Sequence, residues 1–123
     1  MRLVARNLDT GAVVATRVNV ATKRVERAVG LLTRSGLEPG EALLITPCRG
    51  VHTWGMRFPI DIIALDEAGV VVDAVPDLGP WRIRLAGRGA VSVLELSAGA
   101  LSQSSTACGH RIELQLTPAW QGQ

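Results

Sequence analysis

Residues 48–61 read Cys-Arg-Gly-Val-His-Thr-Trp-Gly-Met-Arg-Phe-Pro-Ile-Asp, and no other stretch of the chain is as rich in side chains that can do chemistry. Cys48 and His52 pose the first question, because a thiol becomes a nucleophile when a nearby histidine lowers its pKa. A spacing of four would place them together on one helix face, but Gly50 and the surrounding pattern argue against a helix. The better-supported reading of Cys48 is a buried cysteine acting as a small hydrophobe. His52 could be a base, a ligand or a hydrogen-bonded structural residue, and the last is the commonest. Trp54, Met56 and Phe58 either alternate as a strand that buries one face or belong to a recognition loop.

Asp61 sits among Ile60, Ile62 and Ile63. If those isoleucines are buried, the carboxylate must be paired or hydrogen-bonded, since leaving it bare costs several kcal/mol. Arg57 or backbone N–H groups are the expected partners, and a stabilising role comes before a catalytic one. Glu95, flanked by Leu94 and Leu96, reads as the polar, solvent-facing member of an alternating strand. Arg49, Arg57, Arg82, Arg84 and Arg88 could converge on an anion, because guanidinium groups suit phosphate and carboxylate. A solvated face is the default for so loose a set.

The elements that must position these residues are mostly strands. Leu3–Leu8, Val13–Val20, Leu43–Thr46, Ile60–Leu65, Val70–Val75, Trp81–Leu85, Val91–Leu96 and Arg111–Leu116 are short apolar or alternating runs separated by turn residues. Asp9-Thr10-Gly11 and Asp66-Glu67-Ala68-Gly69 close hairpins. In Trp81-Arg82-Ile83-Arg84-Leu85 the alternation predicts a half-exposed strand with both arginines on its wet face. One helix is predicted over about 22–33, where Val25, Val29 and Leu32 make a stripe and Thr22 can cap the first turn. Ala98–Ser105 fits a second, short helix. The fold class is therefore mainly β: a small β-sandwich or partly closed β-barrel with one helix (about 22–33) packed on it.

A chain of 123 residues is one domain's length, so residues 1–123 are read as a single domain. The net charge of +2 comes without a clustered basic run, so a nucleic-acid partner is not expected. The apolar stretches are too short for a signal-peptide core or a membrane span, which predicts a soluble, cytoplasmic protein without a membrane partner. Cys48 and Cys108 belong to no Cys-x-x-Cys pair, and neither a metal site nor a cofactor is expected.

The chain resembles the bacterial and archaeal family called domain of unknown function 192, from about Asn19 to Ile112. Ala21-Thr22, Glu26-Arg27, Gly30-Leu31-Leu32 and Arg34 are similar to that family's opening helix motif. Trp54-Gly55-Met56-Arg57 followed by Pro59-Ile60-Asp61 resembles its central motif, the most specific of the set. Asp66, Gly69 and Val71 fit the following hairpin, and Val93-Leu94-Glu95-Leu96 with Ala98-Gly99 fits the motif near the end. Gly109-His110 departs from the usual Gly-Asp, and Cys48 is outside the pattern. The resemblance implies a small β-sandwich or barrel with a packed helix and brings no activity, cofactor or substrate.

The favoured expectation is a binding module for a small polar or anionic ligand, with Arg49, His52, Trp54, Met56, Arg57, Asp61 and Glu95 as the ligand-binding set. No residue is assigned a catalytic role, because no nucleophile–base–orienter set assembles. Two alternatives stand beside it. One is a hydrolase-like enzyme using His52 with Asp61 or Glu95. The other is a weak nucleic-acid module in which Arg82, Arg84 and Arg88 share a face with Lys23, Arg24 and Arg27.

Overall fold

A computed structural model describes residues 1–21, 36–48, 50–53 and 56–118, with Val51 and His52 described by backbone alone. The helix expected over about 22–33 lies outside the described residues. In chain order the strands are β1 Arg2–Asn7, β2 Val13–Ala15, β3 Arg17–Ala21, β4 Glu41–Ile45, β5 Gly50–His52, β6 Ile60–Leu65, β7 Val71–Leu78, β8 Ile83–Leu85, β9 Ser92–Ser97 and β10 Ile112–Thr117. A short helix, α1, spans Ala100–Ser104 as the sequence suggested. The fold is mainly β and sandwich-like, and its sheets stay open rather than closing into a barrel.

Five strands, in the order β3-β4-β9-β6-β7, form the central sheet. Three more, β10-β1-β2, form a second sheet, and β5-β8 is a two-stranded ribbon. The run Val13–Val20 splits at Thr16, so its first half joins the three-stranded sheet and its second half joins the central one. Gly40 holds that crossing point, its carbonyl accepting from the N–H groups of Thr16 and Arg17 at 2.9 and 3.0 Å.

Both faces of the central sheet are covered, and the two faces bury different residues. Along β6, β9 and β4, Ile63, Leu65, Leu94, Leu96, Ala42 and Leu44 point to one side, where Ala5, Val14, Ala15 and Ile112 of the second sheet and Leu101 of α1 meet them. Ile60, Ile62, Ala64, Val93 and Ile45 point to the other, where Cys48, Met56 and Phe58 cover them. Double coverage explains why β6 is buried at every position instead of alternating. Each Ile or Leu side chain so buried contributes roughly 1.5–3 kcal/mol.

The turns are fixed by side chains that accept from the backbone. In the β6–β7 hairpin, Asp66 Oδ1 accepts from the N–H groups of Ala68 and Val70, both at 2.9 Å. Gly69 completes this turn at φ +80°, where a Cβ would stand 2.7 Å from the Ile112 carbonyl oxygen. In the β1–β2 hairpin the fully buried Asn7 does the same work, its Oδ1 accepting from Asp9 and Thr10 at 2.9 and 3.1 Å. The Asn7 amide donates to Thr106 Oγ1 at 3.1 Å and lies 3.1 Å from His110 Nδ1, which also accepts from the Ala107 N–H at 3.2 Å.

His110 therefore supplies an acceptor at the position where the resembling family usually has aspartate, and a carboxylate oxygen can fill that role. His110→Asp should keep stability within about 1 kcal/mol of the parent, because an acceptor remains. His110→Leu should lose roughly 1 kcal/mol or more, because an N–H of the buried Asn7 amide is left unmatched, while the exposed Ala107 N–H can turn to water. Urea denaturation of the two variants checks this ordering.

Candidate functional site: the 48–58 segment and its supports

Segment 48–58 lies on the second face of the central sheet. The sequence showed no clear strand at residues 50–52, but Gly50–His52 forms β5 and pairs with β8, with Gly50 opposite Leu85 and His52 opposite Ile83. Glycine is required at position 50 by close approach, since a Cβ there would stand 2.9 Å from the Arg84 carbonyl oxygen. Cys48 is buried in the apolar layer, and its Sγ–H donates to the Gly50 carbonyl at 2.9 Å, the behaviour of a packed thiol.

Thr53 locks the rest of the segment. It is fully buried, and its hydroxyl donates to the Gly79 carbonyl at 2.6 Å while accepting from the Arg82 N–H at 2.8 Å. Its own N–H donates to the Arg82 carbonyl at 2.8 Å, and its carbonyl accepts from Trp81 at 3.0 Å and Met56 at 3.1 Å. One threonine thus ties the segment to residues 79–82 through both backbone groups and its side chain. Met56 and Phe58 bury themselves in the layer below, although residues 56–58 are not a strand, and Arg57 between them is exposed.

Of the seven residues proposed from sequence, Arg49, Trp54 and the His52 side chain lie outside the described residues. Met56 and Glu95 lie on the same face of the central sheet. Glu95 does not face solvent, as its alternating neighbours suggested. It is 0% exposed, because β9 is flanked by β4 and β6 and both faces of the sheet are covered. It stands opposite Leu43 of β4 and Ile62 of β6, on the Met56 and Phe58 side.

Asp61 is buried on the opposite face. Its Oδ1 accepts from the Asp77 N–H at 2.8 Å, and its Oδ2 accepts from Gly99 at 3.1 Å and Leu101 at 2.9 Å. Backbone N–H groups hold it, one of the two partnerships expected, and the exposed Arg57 is not among its partners. The arrangement has a local cause. Gly99 at the start of α1 has no side chain to cap the first turn, whose N–H groups lack intrahelical partners, so a carboxylate from β6 caps it instead. Of the two carboxylates, only Glu95 lies on the side of segment 48–58.

Of the five arginines considered for an anion site, Arg49 lies outside the described residues and Arg84 is engaged by an acid. Arg84 Nε and Nη2 donate to Asp73 Oδ2 and Oδ1 of β7, each at 2.9 Å. That hydrogen bond, and then the charge of Asp73, raises the Arg84 guanidinium above its ordinary pKa. Arg82 and Arg84 are exposed, as expected for the wet face of β8, but the expectation that its apolar side is buried is overturned. Arg84 turns toward β7, every residue from Trp81 to Leu85 is exposed, and the apolar ones are left in solvent. Sequence reasoning also passed over Thr53, Asn7 and Asp73; a Thr inside the aromatic segment and Asn7 two residues before Asp9-Thr10-Gly11 were the available signals.

The DUF192 family model, described as an uncharacterised ACR, matches residues 5–114. A crystal structure of a protein of unknown function from Novosphingobium aromaticivorans is similar, with a TM-score of 0.76, 21% identity, and coverage of 90% of this chain and 82% of that one. A structure titled a putative transcription regulator from Sinorhizobium meliloti has a TM-score of 0.75, 21% identity, and coverage of 92% of both chains. At that identity the likeness concerns the fold alone. No curated protein matches the chain. Among the described residues, no helix is long and apolar enough to cross a membrane.

Asp61→Asn tests the capping role without changing side-chain size. An amide offers one acceptor oxygen where the carboxylate offers two, and its NH2 would face a backbone N–H. The variant should lose roughly 1–3 kcal/mol in urea denaturation, the cost of leaving buried N–H groups unmatched.

Proposed function

We propose that this chain, which belongs to the DUF192 family, is a binding module for a small polar or anionic ligand at the loop of residues 49–57. One observation carries the reading: Arg57 is exposed between two buried neighbours, Met56 and Phe58, on a segment that Thr53 pins at both backbone groups. A guanidinium held on a fixed loop loses less freedom on binding than one on a mobile chain, which favours recognition of carboxylate or phosphate. In this reading Arg49 and Arg57 supply charge, Trp54 a stacking face and His52 a hydrogen bond. Met56 and Glu95 are buried and support the loop from below, and Asp61 shapes the far side of the sheet.

Thermal-shift measurements with inorganic phosphate, citrate, nucleoside monophosphates and short oligonucleotides test the reading. A small anion at a hundred times its Kd should stabilise the protein by about 2.7 kcal/mol, a shift of several degrees. Arg57→Ala should abolish that shift while changing the stability of the free protein by no more than about 0.5 kcal/mol, since the side chain is exposed. Absence of any shift, or a shift retained in Arg57→Ala, would contradict the proposal. So would strongly salt-dependent oligonucleotide binding that Trp54→Ala leaves untouched.

A further inference from the structure

Strand β10 stands at one end of the three-stranded sheet and runs for six residues against β1 without a bulge. In an antiparallel ladder the N–H and C=O groups of successive residues point to opposite edges. The Arg111 carbonyl accepts from the Leu8 N–H on the β1 side, so Glu113, Gln115 and Thr117 also turn their backbone groups toward β1. Ile112, Leu114 and Leu116 turn theirs to the outer edge. There the Ile112 N–H donates to the Gly69 carbonyl at 2.8 Å, and at the other end of the strand Pro118 has no N–H to offer. Leu114 and Leu116 are left with outward donors and acceptors and with no strand beside them among the described residues. Leu116 is also 65% exposed, whereas Leu114 packs against the apolar layer. An unprotected edge of this kind is a template for a further strand.

We infer that this further strand is β10 of a second copy, paired antiparallel about Gln115. The edge itself selects both occupant and register. About Gln115, Leu114 of each copy stands opposite the partner's Leu116, and each such pair exchanges two N–H···O=C bonds. Centring on Leu114 would call on the Ile112 N–H that Gly69 already holds, and centring on Leu116 would call on an N–H that Pro118 lacks. The side chains agree with this register. Each exposed Leu116 is laid on the partner's Leu114, which extends the apolar layer. On the other face Glu113 meets the partner's Thr117 instead of a second glutamate. Arg6 lies opposite Glu113 and Arg2 opposite Thr117 in the β1–β10 ladder, so each Glu113 falls in one row between its own Arg6 and the partner's Arg2. The same strand serves both sides, as a two-fold dimer requires. This edge belongs to the second sheet and not to segment 48–58, and the two readings can fail separately.

Sedimentation equilibrium of the full chain over about a hundredfold range of concentration tests this, with twice the 13.0 kDa mass of one chain expected at the upper end. Leu116→Pro removes an outward N–H and an exposed side chain that the single chain's own ladder does not use. It should weaken association at least about tenfold and leave the melting temperature within a few degrees of the parent. Cross-linking in a Cys108→Ser background, which removes the exposed thiol, reads the register. The two Gln115 residues form a non-hydrogen-bonded pair with Cα atoms about 4.5 Å apart, so Gln115→Cys should oxidise to a disulfide-linked dimer and Glu113→Cys should not. A monomer at every concentration, a dimer that Leu116→Pro leaves intact, or linkage through Glu113→Cys in preference to Gln115→Cys overturns the proposal. So does a monomer whose β10 edge takes up an unrelated extended peptide.

Discussion

Asp61 sends a carboxylate from the middle of β6 into three backbone N–H groups that belong to two other parts of the chain. One is at Asp77, where β7 turns with φ +53° near its end. The other two are at Gly99 and Leu101, where the chain leaves β9 and starts a helix too short to be stable alone. Without an acceptor the buried Leu101 N–H would oppose folding by about 1–3 kcal/mol, comparable to the gain from a buried leucine, and the part-buried Asp77 and Gly99 donors would add to it. A carboxylate meets the requirement with two oxygens at fixed separation. Its position in β6 therefore sets where β7 ends and where α1 begins, and α1 in turn closes the apolar layer through Leu101.

The central sheet then divides the molecule's work between its faces. The first face is sealed by the second sheet and α1, and there the buried Asp61 is spent on architecture. The second face carries the ribbon β5-β8 and segment 48–58 over Glu95, and it presents Arg57 and Trp81 to solvent. Thr53 couples these two features, because the same hydroxyl and backbone groups hold both the segment and residues 79–82.

Much of the fold was legible because it rests on local signals. The Asp-Thr-Gly and Asp-Glu-Ala-Gly turns, the β-branched runs and the short helix after β9 all follow from period and turn chemistry. Glu95 was misread because alternation reveals burial only when one face is wet, and here both are covered. Strand β8 was misread for the opposite reason. Its alternation was real, but the arginine side faces Asp73, a partner eleven residues away that no local pattern reveals. Asp61 was legible as a buried, satisfied carboxylate from its three isoleucine neighbours. The donors at Gly99 and Leu101, some forty residues on, were visible only in three dimensions. The family motif joined Trp54, Met56, Arg57 and Asp61 in one run, yet the strand's pleat sends Asp61 to the face away from Met56. Adjacency in a motif therefore mixed a structural residue with candidates for binding.

Native-state amide hydrogen exchange of the full chain tests the central claim at the atoms concerned. Gly99 and Leu101 open a five-residue helix, a place where amides without an acceptor exchange rapidly. If the Asp61 carboxylate holds them, their amides and that of Asp77 should be protected to a level approaching that of Leu94 in the central strand, and the protection should fall together in Asp61→Asn. Exchange of the three amides at the rate of exposed turns in the parent protein would contradict the account.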